Sequence, residues 1–326
     1  MRDVIFIQSK FPSSEHASET LFKRWEAYAC ELEAIHGINQ ITIVSPYPLT
    51  RISSLYSHLS FISKSKWRLK NLLDFLLFVK STKRPVTLVC GDSHISILIS
   101  IICRWLYPDR VLIQCQFHGD LYTLKNNPGP KGLIRVLLSR LAIYLTDSIR
   151  IVSEFQKAEI INIAPKLKKS FVVAPIPIDY SKIPNQRSNQ IIYDVVIVGR
   201  LHKERGIENA ILIVKEIAKR RCETKIAFVG AGNLMQSTSH ILAEEILNGS
   251  VVLLGELCNE NLRDVYACSK ILLSTAPHEG YGLTLREAYL SGMVVVVKNS
   301  KGAHEASLSF PGNFVFYESV QEAELS

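Results

Sequence analysis

Residues 271–292 read ILLSTAPHEGYGLTLREAYLSG, and this stretch passes from a strand-like run through a glycine-containing turn into a helical pattern. The aliphatic and β-branched residues Ile271–Thr275 predict a buried strand. The helix is expected to begin near Gly282 or Leu283, because glycine suits the tight turn before a helix. A strand, a turn and a helix in this order form the repeating unit of a parallel sheet covered by helices. The stretch therefore predicts an α/β fold.

Strand-like runs of this kind alternate with helical patterns along the whole chain. In the first half they are Val4–Gln8, Ile41–Ser45, Thr87–Cys90, Val111–Phe117, Ile149–Val152 and Phe171–Ala174. In the second half they are Val195–Gly199, Ile226–Gly230, Val251–Gly255, Ile271–Thr275, Val294–Val297 and Phe314–Phe316.

Residues 175–189 contain three prolines and no periodicity, so they predict a linker between the two series. We therefore expect two tandem Rossmann-like, doubly wound domains, residues 1–180 and residues 191–326, with a cleft between them. Open parallel sheets bind ligands at the carboxyl ends of their strands. The functional site is expected there.

Length and composition suit a folded, two-domain protein. The chain has 326 residues, of which 47% are hydrophobic and 21% charged, and these values exclude a disordered chain or a small stapled scaffold. The longest apolar stretch, Ile95–Leu106, is interrupted by Arg104 and is shorter than the ~20 residues that a membrane-spanning helix needs. The seven cysteines are scattered without a Cys-x-x-Cys pair. We expect no signal peptide, no membrane span, reduced thiols and a cytoplasmic location.

The positive charge is concentrated in the first part of the chain. Residues 1–190 hold 25 Lys and Arg against 14 Asp and Glu, whereas residues 191–326 hold 13 against 16. A basic half is compatible with an anionic membrane face, a nucleic acid or an acidic substrate. It is equally compatible with an ordinary solvated surface.

The turn within residues 271–292 has the chemistry of an anion site. Glycines such as Gly280 and Gly282 let the backbone approach a ligand, and a helix N-terminus presents free amides and a partial positive charge. Glu287 lies one turn into the helix and leans back toward that N-terminus, so its carboxylate is able to hold hydroxyls beside a phosphate. The plainer alternative is that Glu287 interacts with the helix dipole and that Glu279 is a solvated loop acid.

Two arginines precede the first helix of the second half. Arg200 and Arg205 lie five residues apart after a strand, and their planar guanidinium groups suit the oxygens of a diphosphate. The sequence has no Asp-x-Asp pair and no His/Cys cluster at zinc spacing, so we expect no metal. By themselves, the two arginines are also consistent with an ordinary helix-flanking surface.

Taken in order, these motifs resemble a known family. Gly199-Arg200 with Gly206 begins the second half, Val229-Gly230-Ala231-Gly232 follows the next strand, and Glu279 stands eight positions before Glu287. The series resembles the nucleotide-sugar domain of retaining glycosyltransferases of the GT-B fold, the bacterial "glycosyl transferases group 1" kind. The resemblance covers residues 191–318. In the first half it rests on residues 116–120, 151–154 and 175–179.

The resemblance implies a role for each matching residue. Arg200 and Arg205 would bind the donor diphosphate, and Glu287 the ribose hydroxyls. Glu279 would hold the transferred sugar, and His118 would face the reacting sugar from the other domain. Backbone amides around Gly282, Leu283 and Thr284 would hold the distal phosphate, and Gly280 and Tyr281 in the same turn would also bind the donor.

The family also implies a reaction. The substrate would be a nucleotide diphosphate sugar, used without cofactor or metal, and the acceptor a glycan or polyprenyl-linked molecule of surface polysaccharide synthesis. Retention of anomeric configuration implies front-side attack, with the leaving phosphate oxygen accepting the acceptor proton. Catalysis would then rest on positioning and on stabilisation of leaving-group charge. The protein would be cytoplasmic, and peripheral contact with the inner membrane face stays open.

The chain departs from the family pattern at four places. Arg205 stands where the family usually has lysine, and His16-Ala17 replace a Gly-Gly pair in the loop at residues 11–19. Residues 301–305 are an altered family loop. The second domain is expected to lack the terminal crossover helix, because the sequence stops at Ser326.

Other functions and roles stay open from the sequence. A nucleotide-sugar epimerase of related fold, a nucleic-acid-binding protein and a non-catalytic partner subunit are the alternatives to transfer. The dispersed basic residues lack a Lys/Arg-aromatic motif, so we expect no nucleic-acid partner. Ser153 with Gln156 fits a helix capping box, which we favour over a contact with the acceptor.

Overall fold

A computed structural model describes residues 2–7, 25–26, 38–45, 59–63, 69–91, 95–118, 129–167 and 169–325. The chain divides into two compact units, Met1–Ala174 and Pro175–Ser326. The loop at residues 11–19, with its His16-Ala17 pair, lies outside the described residues, as do Gly119 and Asp120. None of the six cysteines in the described part of the chain is in a disulfide. No helix within that part is long and apolar enough to cross a membrane.

The first unit is a seven-stranded parallel sheet with the order β3-β2-β1-β4-β5-β6-β7. Its strands are β1 Arg2–Ile7, β2 Ile38–Ser45, β3 Leu59–Ser63, β4 Val86–Cys90, β5 Val111–Phe117, β6 Ser148–Ile151 and β7 Ser170–Val173. Its helices are α1 Leu69–Ser81, α2 Ile95–Leu106, α3 Gly129–Leu145 and α4 Glu154–Ile163. The core lies along the central strands, where Ile5, Leu88, Ile113 and Ile149 are fully buried.

The second unit is a six-stranded parallel sheet with the order β10-β9-β8-β11-β12-β13. Its strands are β8 Tyr193–Val198, β9 Ile226–Val229, β10 Val251–Gly255, β11 Ser269–Ser274, β12 Val294–Lys298 and β13 Phe314–Tyr317. Its helices are α5 Ile207–Arg220, α6 Met235–Ile241, α7 Ala243–Leu247, α8 Asn259–Ala267, α9 Leu283–Leu290, α10 Lys301–Ser309 and α11 Val320–Leu325.

The strand order positions the site of the second unit. The order reverses between β8 and β11, which pair directly through Val195 with Ile271 and Val196 with Leu272. The loops that follow these two strands therefore leave the same edge of the sheet side by side. Such a switch point is where open α/β sheets bind ligands. The predicted α/β fold of two doubly wound units is confirmed.

Two local differences separate the structure from the sequence expectations. Strand β3 was not predicted, because Leu59–Ser63 is short and alternates with serine rather than forming an apolar run. The segment at residues 175–189, expected as a linker, is part of the second unit and is held there by hydrogen bonds. The Arg187 guanidinium donates to the carbonyls of Ser269 and Gly292, and the Asn259 side chain donates to Asp179, at 2.9 Å.

Candidate active site

Glycines allow the loops at the edge of the second sheet to touch. Gly206 has a φ of 68°, and a Cβ at this position would lie 2.1 Å from the carbonyl oxygen of Thr275. A Cβ on Gly302 would lie 2.0 Å from the carbonyl oxygen of Glu279. Any side chain at either position would push the loop after β11 out of place. The loop from Thr275 to Gly282 is therefore held between the start of α5 and the start of α10.

Arg205 and Glu279 meet at this edge. The Arg205 Nη1 atom lies 3.2 Å from Glu279 Oε2, and the two side chains are only 23% and 9% exposed. The Thr275 hydroxyl donates to the Arg205 carbonyl oxygen, at 3.2 Å, which fixes the turn that carries the arginine. The family resemblance assigns Arg205 to the donor diphosphate and Glu279 to the transferred sugar. The structure joins them in one ion pair with little access to water.

Arg200 lies in a different environment from Arg205. Its side chain is 70% exposed, and its Nη2 atom lies 2.8 Å from Glu204 Oε1. Exposed ion pairs contribute little because water screens them. The sequence pattern did not distinguish the two arginines, but their exposure differs in the structure. Of the two, only Arg205 is held in a poorly exposed ion pair with the loop after β11.

The turn before α9 has the predicted helix start. Gly282 has a φ of 71° and precedes the first helical residue, Leu283. The first hydrogen bond of the helix runs from the Arg286 amide to the Gly282 carbonyl, at 3.0 Å. The amides of Leu283, Thr284 and the following residue have no acceptor within the helix and are available to an anion.

Arg286 fastens this turn and was missed from the sequence. Its side chain is buried, its Nε donates to the Tyr281 carbonyl at 3.1 Å, and its guanidinium carbon lies 4.1 Å from the centre of the Tyr281 ring. Burial lowers the pKa of this arginine, and electrostatic interactions with Tyr281 and Glu305 oppose this shift. A cation stacked on an aromatic ring stabilises the contact. The sequence signal that could have indicated this contact is an arginine five residues after a tyrosine, with Gly282 at the turn between them.

Glu287 is a buried carboxylate with two partners. Its Oε1 atom accepts from Lys182 Nζ and its Oε2 atom from the Tyr266 hydroxyl, each at 3.2 Å. Burial raises the pKa of Glu287, and the charge of Lys182 opposes this shift. Burial also raises the pKa of Tyr266 well above its ordinary value, so its hydroxyl stays a donor. Neither partner was predicted, since Lys182 lies in the expected linker and Tyr266 resembles an ordinary core residue.

His118 belongs to the first unit. It follows Phe117, the last residue of β5, at the carboxyl edge of that sheet. Desolvation of the ring and, next, the positive charge of Arg150 lower the pKa of His118. The neutral imidazole, which has one donor and one acceptor nitrogen, is therefore favoured at neutral pH. Arg150 is held in turn by the Ala174 carbonyl, at 3.1 Å.

Ser153 has the predicted capping role. Its hydroxyl accepts from the Gln156 amide at 3.1 Å, and the Gln156 side chain accepts from the Val152 amide at 3.0 Å. This reciprocal pair is the capping box of α4. Within the described ranges, no three His, Cys, Asp or Glu side chains lie together as a metal site would require.

Comparison with known proteins identifies the second unit. Residues 182–323 match the family model described as Glycosyl transferases group 1. These residues form a group 1 glycosyltransferase domain. The domain contains Arg200, Arg205, Glu279 and Glu287, which are the residues on which the resemblance was based. The predicted family is thereby confirmed for this part of the chain.

Curated relatives match about half of the chain. The chain is 29% identical over 153 residues, 46% of its length, to the UDP-N-acetylglucosamine–peptide N-acetylglucosaminyltransferase GtfA subunit of Streptococcus agalactiae. It is 22% identical over 172 residues to the glycosyltransferase YqgM of Bacillus subtilis. The matches cover 28% and 46% of these two proteins, so the chain spans less than half of their length.

Solved structures show the same fold along nearly the whole chain. The HepE protein of Anabaena, in complex with UDP and glucose, has a TM-score of 0.71 at 12% identity, over all of this chain and 88% of that one. Sucrose-phosphate synthase of Thermosynechococcus elongatus has a TM-score of 0.69 at 13% identity, over 98% of this chain and 87% of that one. The group 1 domain thus belongs to a chain with the two-domain GT-B fold.

Proposed function

We propose that the protein is a retaining glycosyltransferase that moves a sugar from a nucleotide diphosphate sugar to a glycan or lipid-linked acceptor. One observation carries this proposal. Two carboxylates, Glu279 in the loop before the N-terminus of α9 and Glu287 within that helix, are held by separate cations, Arg205 and Lys182. This arrangement suits a ligand with an anionic centre and a hydroxylated group at each end, which describes a nucleotide diphosphate sugar.

Each part of the donor has a partner in this scheme. The α9 amides and the Arg205 guanidinium bind the diphosphate. Glu287 accepts hydrogen bonds from the ribose hydroxyls, and Lys182 and Tyr266 hold its carboxylate in place. Glu279 accepts from the hydroxyls of the transferred sugar. The UDP in the HepE structure makes UDP-sugars the first donors to test.

The chemistry follows from the charges. As the bond between the sugar and the phosphate breaks, negative charge grows on the diphosphate and positive charge grows on the sugar ring. Arg205 and the α9 amides stabilise the first, and the Glu279 carboxylate stabilises the second. In the front-side mechanism the leaving phosphate oxygen takes the proton of the acceptor hydroxyl, and neutral His118 hydrogen-bonds the reacting sugar. In this scheme no metal is required, because Arg205 and the α9 amides stabilise the charge on the leaving group.

Transfer is favoured over the alternative functions by the family match, since residues 182–323 belong to a transferase family rather than to an epimerase or nucleic-acid-binding family.

The decisive experiment incubates the purified protein with a panel of radiolabelled nucleotide sugars, a bacterial lipid extract and excess EDTA. We expect sugar to move into the lipid or glycan fraction with the α-linkage or β-linkage of the donor retained. Loss of all transfer with EDTA would contradict the metal-free mechanism, and release of an isomerised donor would indicate an epimerase.

The two arginines are expected to differ in donor binding. Arg205→Ala should weaken the binding of the matching nucleoside diphosphate by roughly tenfold or more, because a hydrogen bond to a charged group contributes about 1.5–3 kcal/mol. Arg200→Ala should have a smaller effect, since its guanidinium is mostly exposed and screened by water. Isothermal titration calorimetry measures both. Arg205→Lys, which restores the charge without the planar fork, should recover part of the loss. Equal losses in the two alanine variants would contradict this ranking.

A further inference from the structure

Helix α3 of the first unit turns apolar side chains outward. Six of them, on the outward side of the helix, are between 39% and 59% exposed: Leu133, Ile134, Leu137, Leu141, Tyr144 and Leu145. At 100° per residue they fall within an arc of about 120° on one side of the helix. We call this set the α3 face. An amphipathic helix of a soluble domain normally buries such an arc against the core.

The opposite side of α3 explains the orientation. The buried residues of the helix are Gly132, Val136, Ser139, Ala142 and Ile143, and most of these are small. Val136, Ala142 and Ile143 are apolar, and Ala142 and Ile143 belong to the hydrophobic core of the first unit, so this side of the helix faces inward. The helix end is also held, because Lys169 Nζ donates to the Ile143 carbonyl at 3.0 Å. The α3 face is therefore part of an ordered helix and not a frayed end.

Positive charges border the α3 face on both sides. On the helical wheel, Lys131 and Arg135 flank one edge of the apolar arc and Arg140 flanks the other. All three residues are exposed. Helix α3 contains no acidic residue along its 17 positions. Long basic side chains beside an apolar arc are able to extend toward a charged boundary while their aliphatic parts cover apolar surface.

Helix α2 also exposes apolar side chains. Its exposed apolar residues recur at intervals of about one helical turn, and Trp105 among them is 81% exposed. We call this set the α2 stripe: Leu98, Ile102, Trp105 and Leu106. Strands β4, β5 and β6 follow one another across the sheet, so the right-handed crossovers place α2 and α3 on the same side of it. Arg104 near the end of α2 forms an ion pair with Asp147, two residues beyond α3. The two helices thus end together, and the aromatic residues Trp105 and Tyr144 lie at that end.

We propose that the α3 face and the α2 stripe together dock on the surface of an anionic lipid bilayer. Contiguous apolar surface on a soluble domain marks an interaction site. An apolar arc flanked by basic residues, with Trp and Tyr nearby, matches the boundary between lipid headgroups and acyl chains, where each basic residue adds electrostatic attraction. The absence of acidic residues from both helices fits an anionic partner. Docking of this kind goes beyond the proposed transfer reaction and requires no donor.

Vesicle flotation of the full chain tests the proposal. We expect the protein to float with vesicles of equal parts phosphatidylglycerol and phosphatidylcholine, and to float much less with phosphatidylcholine alone. Leu137→Asp combined with Leu141→Asp should reduce partitioning by roughly tenfold or more, because two apolar side chains leave the interface and two negative charges approach it. Arg135→Ala with Arg140→Ala should weaken the preference for phosphatidylglycerol, with Lys131 left to supply the remainder.

Exposed leucines of the second unit supply the matched control. Leu247 and Leu308 are 88% and 83% exposed, so Leu247→Asp with Leu308→Asp makes the same chemical change in the other unit, at residues that are not part of the proposed surface. This variant should float like the unaltered protein, and circular dichroism melting should show that every variant is folded. In addition, the fluorescence of Trp105, isolated by comparison with Trp105→Phe, should shift to the blue on anionic vesicles.

Two results would overturn the docking proposal. One is equal flotation of the Leu137/Leu141 variant and the unaltered protein. The other is a dimer in light scattering that becomes a monomer in the Leu137/Leu141 variant, because the surface would then be covered by a second copy of the chain. Neither result bears on sugar transfer to a soluble acceptor, so failure of the docking proposal is distinguishable from failure of the proposed function.

Discussion

Glu279→Gln is expected to lower kcat by roughly 10²-fold while donor KM changes by less than about threefold. Glutamine keeps the size and hydrogen-bonding oxygen of the side chain but removes its charge. In the proposed mechanism that charge matters most when the sugar ring becomes positive, which happens only in the transition state. An interaction realised mainly in the transition state affects kcat rather than KM. Initial rates at saturating acceptor, with donor varied, separate the two constants.

The chain offers a matched control for this change. Glu204 is also paired with an arginine, Arg200, but its side chain is 61% exposed. Glu204→Gln therefore removes one charge from an arginine pair at the solvated rim of the same edge. We expect its kcat and KM to stay within about twofold of the unaltered protein, because exposed pairs are screened. Wild-type turnover by Glu279→Gln would show that the assigned role is wrong.

The second large effect is expected at Glu287. Glu287→Gln should raise donor KM by roughly tenfold or more and change kcat little, since a carboxylate that holds the ribose binds ground state and transition state alike. The variant should fold normally. Glutamine still accepts from the Tyr266 hydroxyl, and Lys182 is 25% exposed and is therefore able to reach water. We expect Tm to change by less than about 4 °C.

The pH dependence of donor binding provides an independent check on Glu287. Burial raises the pKa of Glu287 above its ordinary value of 4.5. As the pH falls through this raised pKa the carboxylate gains a proton and loses its strength as an acceptor, so donor KM should rise at a higher pH than for an ordinary glutamate. The Glu287→Gln variant should lack this acid limb. Identical pH profiles of donor KM in the unaltered protein and in Glu287→Gln would show that Glu287 does not bind the donor.

The strands and the main turn were predictable because their signals are local. Val111–Phe117 and Val251–Gly255 have the bounds in the structure that their apolar runs predicted. Both runs are rich in β-branched and aliphatic residues, interrupted only by Gln114 and Gln116 in the first, so the run itself marks the strand. The helix start at Gly282 was predictable for a similar reason, since glycine there takes the left-handed conformation that the turn requires. These features depend only on neighbouring residues.

The partners within the site were not predictable from local patterns. Arg205 meets Glu279 because β8 and β11 are adjacent in the sheet, although 74 residues separate the two side chains along the chain. Lys182 reaches Glu287 across 105 residues because the segment after the first unit packs on the second. Spacing alone made Arg200 and Arg205 equivalent, and burial distinguishes them.

The sequence by itself determined the α/β fold, most strand positions, the glycine turn before α9 and the family of the second unit. Each of these depends on the order and spacing of residues that are close together in the chain. Only the tertiary structure decided which charges pair and which surfaces stay exposed. Helix α3 shows the reason most clearly. Its apolar residues lie on both sides of the helix, so local spacing does not say which side faces the core, and only the fold buries Val136 and Ile143 while Leu137 and Leu141 stay exposed.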